Sequence, residues 1–242
     1  MVAKPSWFKG ILIETDWQLA PEDGGKRARF FNRTQRDLIK ISQLPTGADL
    51  LNLIARRYEG VGTKGSGKDR SVTIRIGKEG EAGQGPSTNA WYMDRKYHVD
   101  KMIGTRTMKF AGEGSKTIIY IQNDDDSEEI YTRLAGVRTP TYIALGHELI
   151  HALHHLSGTT YSEVIDGSDG EIRREEMFTT GLGPYAKTRI SENALRAEAH
   201  LPRRTHYYFP GDEAEVKALA PTLHRKYVKF WMCSCLRELM VA

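Results

Sequence analysis

A chain of 242 residues can bury one good-sized core, and 39% hydrophobic with 27% charged residues exclude a fibrous or disordered composition. No apolar run approaches the roughly 18 residues that a membrane span needs, and Met1 to Gly10 lacks the apolar core of a secretory signal peptide. With 35 basic against 31 acidic residues the charge is only +4, and the basic groups at Lys26–Arg29 and Arg203–Arg204 come without a recognition motif, which argues against a nucleic-acid partner.

Residues 1–30 read as an irregular N-terminal segment, broken by Pro21 and Gly24, and residues 31–242 as a single domain with no linker. Two amphipathic helices are expected at Thr34–Gln43 and Thr46–Tyr58, separated by Pro45. Gly62 to Lys68 matches the GxxxxGK part of a phosphate loop. Asp69 stands where a magnesium-binding hydroxyl belongs, however, and Val72, Ile74 and Ile76 alternate as a strand where that motif requires a helix. The stretch 60–70 is therefore read as a connection.

Short strands follow at Ser71–Gly77, Asn89–Asp94, Thr105–Phe110 and Lys116–Gln122. A small twisted sheet in this position can offer an edge strand to an extended peptide. The acidic run Asn123 to Glu129 lacks the glycine and spacing of a calcium loop and reads as solvated.

The most informative stretch is Gly146 to Gly158, where His147, Glu148 and His151 stand in the HExxH spacing. Residues four apart on a helix share a face, with Cβ atoms about 5–6 Å apart, so the two imidazoles can converge on one metal ion. Glu148 need not ligate. It is placed to take a proton from a water whose pKa the metal lowers toward about 7. Thr139 as N-cap, Pro140 at the first helical position, apolar residues from Ile143 to Leu156 and Gly158 as the stop predict a largely buried helix.

A catalytic zinc site needs a third protein ligand. The HExxHxxGxxH pattern fails, because His154 replaces its glycine and Ser157 its third histidine. His154 and His155 lie a further turn along and read as packing or supporting groups. The segment Glu171 to Gly183 supplies Glu175 and Glu176 on an expected second helix, with Glu176 preferred as ligand, Glu175 the second choice, and Glu175 otherwise the group that orients a histidine.

The run His147 to Gly158, with Glu175, Glu176, Thr179, Thr180 and Gly181, resembles the zinc helix and downstream Glu-Glu segment of clostridial neurotoxin light chains. A wider likeness, through Gly183-Pro184-Tyr185, Ser191-Glu192-Asn193 and Leu201 to Tyr207, is to the NleD-type effector metallopeptidases of bacterial pathogens. Arg204 and Tyr207 match the Arg-x-x-Tyr spacing of the light chains, and the resemblance implies that they stabilise the oxyanion of peptide hydrolysis. Glu192 and Asn193 read as a helix start after Ser191.

These observations imply an α+β, zincin-like fold: a small twisted sheet packed on an HExxH helix and further helices. The expected activity is that of a gluzincin-like zinc endopeptidase, with one Zn2+ per chain. Its expected substrate is an intracellular host protein, with signalling kinases the class that the resemblance brings. The chain is expected to act as a monomer, delivered to the host cytosol by a non-classical effector route. A binding module that keeps the helix without catalysis is the competing reading. The C-terminal stretch Pro221–Met240 is expected to be an amphipathic helix, carrying Cys233 and Cys235 too close in sequence to bridge.

Overall fold

Short runs of β-branched residues make the central strands, and helices cover the face they bury. The computed structural model describes residues 3–15, 24–60, 70–76, 87–90, 96, 99–103, 106–121, 129–132, 137–161, 164–167 and 170–205. The chain runs β1 (Ala3–Pro5), β2 (Ile11–Glu14), α1 (Gly24–Ser42), α2 (Pro45–Tyr58), β3 (Val72–Ile76) and β4 (Ser87–Ala90). It continues β5 (Val99–Ile103), β6 (Arg106–Phe110), β7 (Thr117–Ile121), β8 (Glu129–Thr132), β9 (Val137–Pro140) and α3 (Thr141–Ser157). The last elements are β10 (Val164–Gly167), β11 (Gly170–Arg173), α4 (Arg174–Thr180), a 3-10 turn at Gly183–Tyr185 and α5 (Glu192–Glu198). The expected α+β class holds.

The main sheet has the order β1-β2-β3-β7-β4, with β2, β3 and β7 parallel and β1 and β4 antiparallel at the two edges. Registered partners point to the same face, so Ile13, Ile74 and Ile119 form one fully buried row that ends at Thr88 on β4. The parallel pairing of β2 with β3 needs a crossover, and α1 with α2 provides it. β5–β6, β8–β9 and β10–β11 are separate antiparallel pairs.

One core joins the sheet to the helices. Ile11, Ile13, Val72, Ile74 and Ile119 pack with Phe30, Leu38 and Ile41 of α1, Leu50 and Ile54 of α2, and Leu149, Ile150 and Leu156 of α3. Burying one such aliphatic side chain stabilises by about 1.5–3 kcal/mol, so α3, buried along almost its whole length, is anchored on every side. Gly158 ends it at φ 66°, with its N–H directed to the carbonyls of His154 and His155. A Cβ at Gly158 would lie 2.5 Å from the Gly112 carbonyl, so only glycine lets the helix terminus dock there. Among the described residues no helix is long and apolar enough to cross a membrane.

Several expectations change. The segment expected to be irregular contributes β1, β2 and the first turns of α1. Helix α1 begins ten residues before Thr34, because Phe30 and Phe31 extend its apolar face. Pro140, not Thr139, occupies the N-cap of α3, and that cap makes no side-chain hydrogen bond. Thr139 instead accepts from the Arg196 guanidinium, and Asp37 of α1 hydrogen-bonds Thr141 in the first turn of α3. The strand expected at Asn89–Asp94 is β4, ending at Ala90. Tyr207, the helix expected at 221–240 with Cys233 and Cys235, the connection at 61–69 and the acidic residues 123–128 lie outside the described residues.

Candidate metal centre

Helix α3 aims His147 and His151 the same way, since they are four residues apart. Their rings meet edge to face, with centroids 4.8 Å apart at 78°, and the two Nε2 atoms are 3.1 Å apart. From α4, Glu176 Oε2 completes the triangle at 3.1 Å from His151 Nε2 and 3.4 Å from His147 Nε2. Ligands about 2.0–2.2 Å from a tetrahedral zinc ion are separated by about 3.3 Å, so this triangle has the size that zinc requires.

The donor chemistry fits a cation too. His147 Nδ1 lies 2.9 Å from Glu192 Oε2, and His151 Nδ1 lies 3.1 Å from Glu175 Oε1. A carboxylate at Nδ1 places the N–H there, which leaves each Nε2 as a lone-pair acceptor. With the rings neutral, two nitrogens and a carboxylate oxygen then face one another, an arrangement that a bound proton or metal cation stabilises. The charge balance says the same. Burial disfavours a charged His147, yet the Glu176 and Glu192 carboxylates outweigh it and raise the ring's pKa to about 9. His151 is raised well above its ordinary value against the same burial, by Glu176 and Glu175.

Adjacent glutamates on α4 sit differently. Glu175 is buried and fully engaged: Oε1 accepts from His151 and His154 and from the Thr179 hydroxyl at 3.3 Å, and Oε2 accepts from the Tyr161 N–H at 3.0 Å. Burial opposes its charge, but His154 and His151 hold its carboxyl well below the usual range. The cluster His151, His154 and Glu175 also has ligand-type atoms close together, but its donors and acceptors already satisfy one another. The Glu176 side chain is 21% exposed against 6% for Glu175, and its carboxylate is the one turned to the Nε2 atoms.

Glu148, buried between the ligands on α3, takes a different contact. Its Oε2 accepts from Thr88 Oγ1 at 2.5 Å, and burial, the largest influence, raises its carboxyl pKa. His155 turns away from the cluster to Thr117, Nδ1 to Oγ1 at 3.0 Å, and burial holds it well below its usual pKa.

Helix α5 supplies the groups that sequence reasoning missed. Ser191 caps it by accepting from the Ala194 N–H at 3.2 Å, as expected of a helix start, but Glu192 does more. Its Oε2 lies between His147 Nδ1 and Arg204 Nη1, at 2.9 and 2.8 Å, and its Oε1 accepts from Arg196 Nε at 2.7 Å. Burial disfavours this carboxylate, while His147, Arg204 and Arg196 keep it ionised. Arg196, 1% exposed, also donates to Thr139 and to the Pro202 carbonyl. Asn193 clamps the main chain of Arg204 at both N–H and carbonyl. The helices approach closely at Gly146, where a Cβ would lie 2.7 Å from the Leu195 Cδ1 methyl and that side chain would have to shift. Asp or Glu in a first helical turn is too common a pattern to have singled out Glu192.

Solved structures resemble the chain at low identity. The light chain of Clostridium botulinum neurotoxin serotype F is 18% identical, covering 90% of this chain and 68% of its own, with a TM-score of 0.44. The Botulinum neurotoxin type G light chain is 13% identical over 90% of this chain and 72% of its own, also at 0.44. The zinc-removed type C light chain is 13% identical over 91% and 67%, at 0.43. No curated protein matches the chain significantly. Residues 22–207, which hold every group of the cluster just described, match the family model Peptidase_M91, effector protein, and the chain belongs to that peptidase family.

Proposed function

We propose that the protein is a zinc-dependent endopeptidase of the gluzincin type, with His147, His151 and Glu176 as the ligands of one Zn2+ per chain. The observation that carries the reading is the convergence of two Nε2 atoms and one carboxylate oxygen within 3.1–3.4 Å, each histidine backed by a buried carboxylate at Nδ1. Bound zinc supplies Lewis acidity, polarising a peptide carbonyl and lowering the pKa of water toward about 7. Glu175 and Glu192 hold the histidines in the tautomer that ligates. Glu148 takes the proton of the attacking water and passes it to the amine nitrogen that leaves, so it ends the cycle ionised again.

Among the described residues β4 is an edge strand that lies beside α3 and pairs only with β7, which suits it to hold an extended peptide by main-chain bonds on its other side. Arg204 stands behind His147, its guanidinium on Glu192, and stabilises negative charge developing on the carbonyl oxygen, together with Tyr207 from the segment beyond. Membership in an effector family supports a host protein as substrate; to this we add a signalling kinase, which the resemblance alone brings, and a monomer delivered by a non-classical route.

The Glu148→Gln variant tests the chemistry. Elemental analysis should find zinc retained, while a proteome-wide search for new N-termini in host lysate should find cleavages that the wild type makes and the variant does not. The expected loss of rate is about 100-fold or more. Undiminished cleavage by the variant refutes the base assignment, and no zinc in the wild type refutes the metal assignment.

A further inference from the structure

The buried row Ile13, Ile74, Ile119 ends at Thr88, the fourth residue of that register, and so brings one hydroxyl from the edge strand against the HExxH helix. Thr88 Oγ1 is 2.5 Å from Glu148 Oε2 and 3.2 Å from the Glu148 carbonyl oxygen. A hydroxyl has one proton to give. The carboxylate is nearer and charged, so it takes the bond. Among the described residues Glu148 Oε1 makes no hydrogen bond, while Oε2 accepts the one from Thr88.

We propose that Thr88 is a positioning residue for Glu148: its hydroxyl fixes Oε2, so that Oε1 alone is presented to the reacting water. The inference rests on the zinc-peptidase reading above and assigns the base a support that comes from the substrate-binding edge instead of from the metal-binding helices. The proton taken from water lands on Oε1, so Oε2 goes on accepting from Thr88 while the proton is carried, and the carboxyl group does not turn between the two transfers. An extended peptide pairing with β4 would settle the same strand that holds the base. Docking of a main chain and alignment of the base are thereby coupled through one residue. Valine has the shape of threonine without the donor, and serine keeps the donor.

Acetohydroxamate reads this arrangement without a known substrate, because it would chelate zinc through its two oxygens and give its hydroxyl proton to the base. Calorimetric titration of the zinc-loaded protein should show Thr88→Val binding it about tenfold more weakly than wild type, and Thr88→Ser within about twofold. Thr88→Val combined with Glu148→Gln should bind no more weakly than Glu148→Gln alone, since the hydroxyl acts through that carboxylate. Zinc content and thermal midpoint should stay at wild-type values in Thr88→Ser. Losses that add in the double variant, serine as weak as valine, or a valine variant equal to wild type would each overturn the proposal while leaving the metal assignment intact. A wild-type protein that takes up no zinc overturns the metal assignment itself, and this inference with it.

Discussion

On α3 the two histidines are each backed at Nδ1 by a buried carboxylate, whereas among the described residues the glutamate between them is held by a threonine hydroxyl alone. The carboxylate behind His147 is fixed in turn by Arg196 and Arg204, and the one behind His151 by His154, Thr179 and the Tyr161 N–H. Nothing cationic outside the metal cluster hydrogen-bonds Glu148 among the described residues. The contrast fits the roles proposed for these groups. A ligand needs one tautomer and one orientation, which ion pairs enforce. A base must accept a proton near neutral pH, and a cation on it would pull its pKa down, as His147, Arg204 and Arg196 do to Glu192 against the effect of burial. Burial moves Glu148 the other way. A neutral hydroxyl can orient it without taking its basicity.

The largest effect that separates the two kinds of support is expected at α4. Glu176→Ala removes an oxygen from the Nε2 triangle, and Glu175→Ala removes only the group behind His151. Zinc affinity, measured by competition with a chelator, should fall by roughly 10–100-fold in Glu175→Ala and by considerably more in Glu176→Ala. The reverse order would exchange their roles and break the comparison at its root. Fluorescence-monitored unfolding adds a check, because Glu175→Ala leaves His154 and the Tyr161 N–H without their buried acceptor and should cost about 1–3 kcal/mol.

Glu192 is next in size. Glu192→Gln keeps the shape but replaces the charge that His147, Arg196 and Arg204 share, so zinc affinity should fall by roughly 10–100-fold. Buried arginines left without their carboxylate should also lower stability, by about 3–5 kcal/mol for a broken buried pair. A variant with unchanged zinc affinity would show that His147 needs no support from α5, and the symmetry between the two histidines would fail.

These supports mark where the sequence stops being readable. The HExxH helix announces itself through apolar spacing and Gly158, and Glu175 and Glu176 through their place after it, because each signal is local. Strands β1 and β2 are not: Ile11-Leu12-Ile13 is a continuous apolar run without alternation, as a strand buried in a parallel pairing requires, and Pro5 hides the edge beside it. Glu192 reaches His147 across 45 residues and Thr88 reaches Glu148 across 60. Each depends on a packing event, α5 closing on Gly146 or the Ile13–Ile74–Ile119 row setting the register of β4, that no residue type signals by itself.

The smallest expected effect is on pH dependence, and it distinguishes the metal-free protein from the zinc-loaded one. Burial lowers the His147 pKa and the Glu176 and Glu192 carboxylates more than restore it, to about 9 against 6.5 for a free ring. A raised histidine pKa means that the folded state holds the proton more tightly. Its contribution is therefore complete below about pH 6.5 and is lost as pH rises toward 9, with His151 acting in the same direction. His155, depressed by burial, acts in the opposite sense and only below this window. Chelator-treated protein should thus lose on the order of a few kcal/mol between pH 6.5 and 9, read from denaturant midpoints. With zinc in place of the protons the ligands no longer titrate there, and the decline should vanish. A metal-free midpoint that stays level or rises with pH would mean that the carboxylates behind the histidines do not bind protons through them, and the two sides of α3 would differ less than their hydrogen bonds imply.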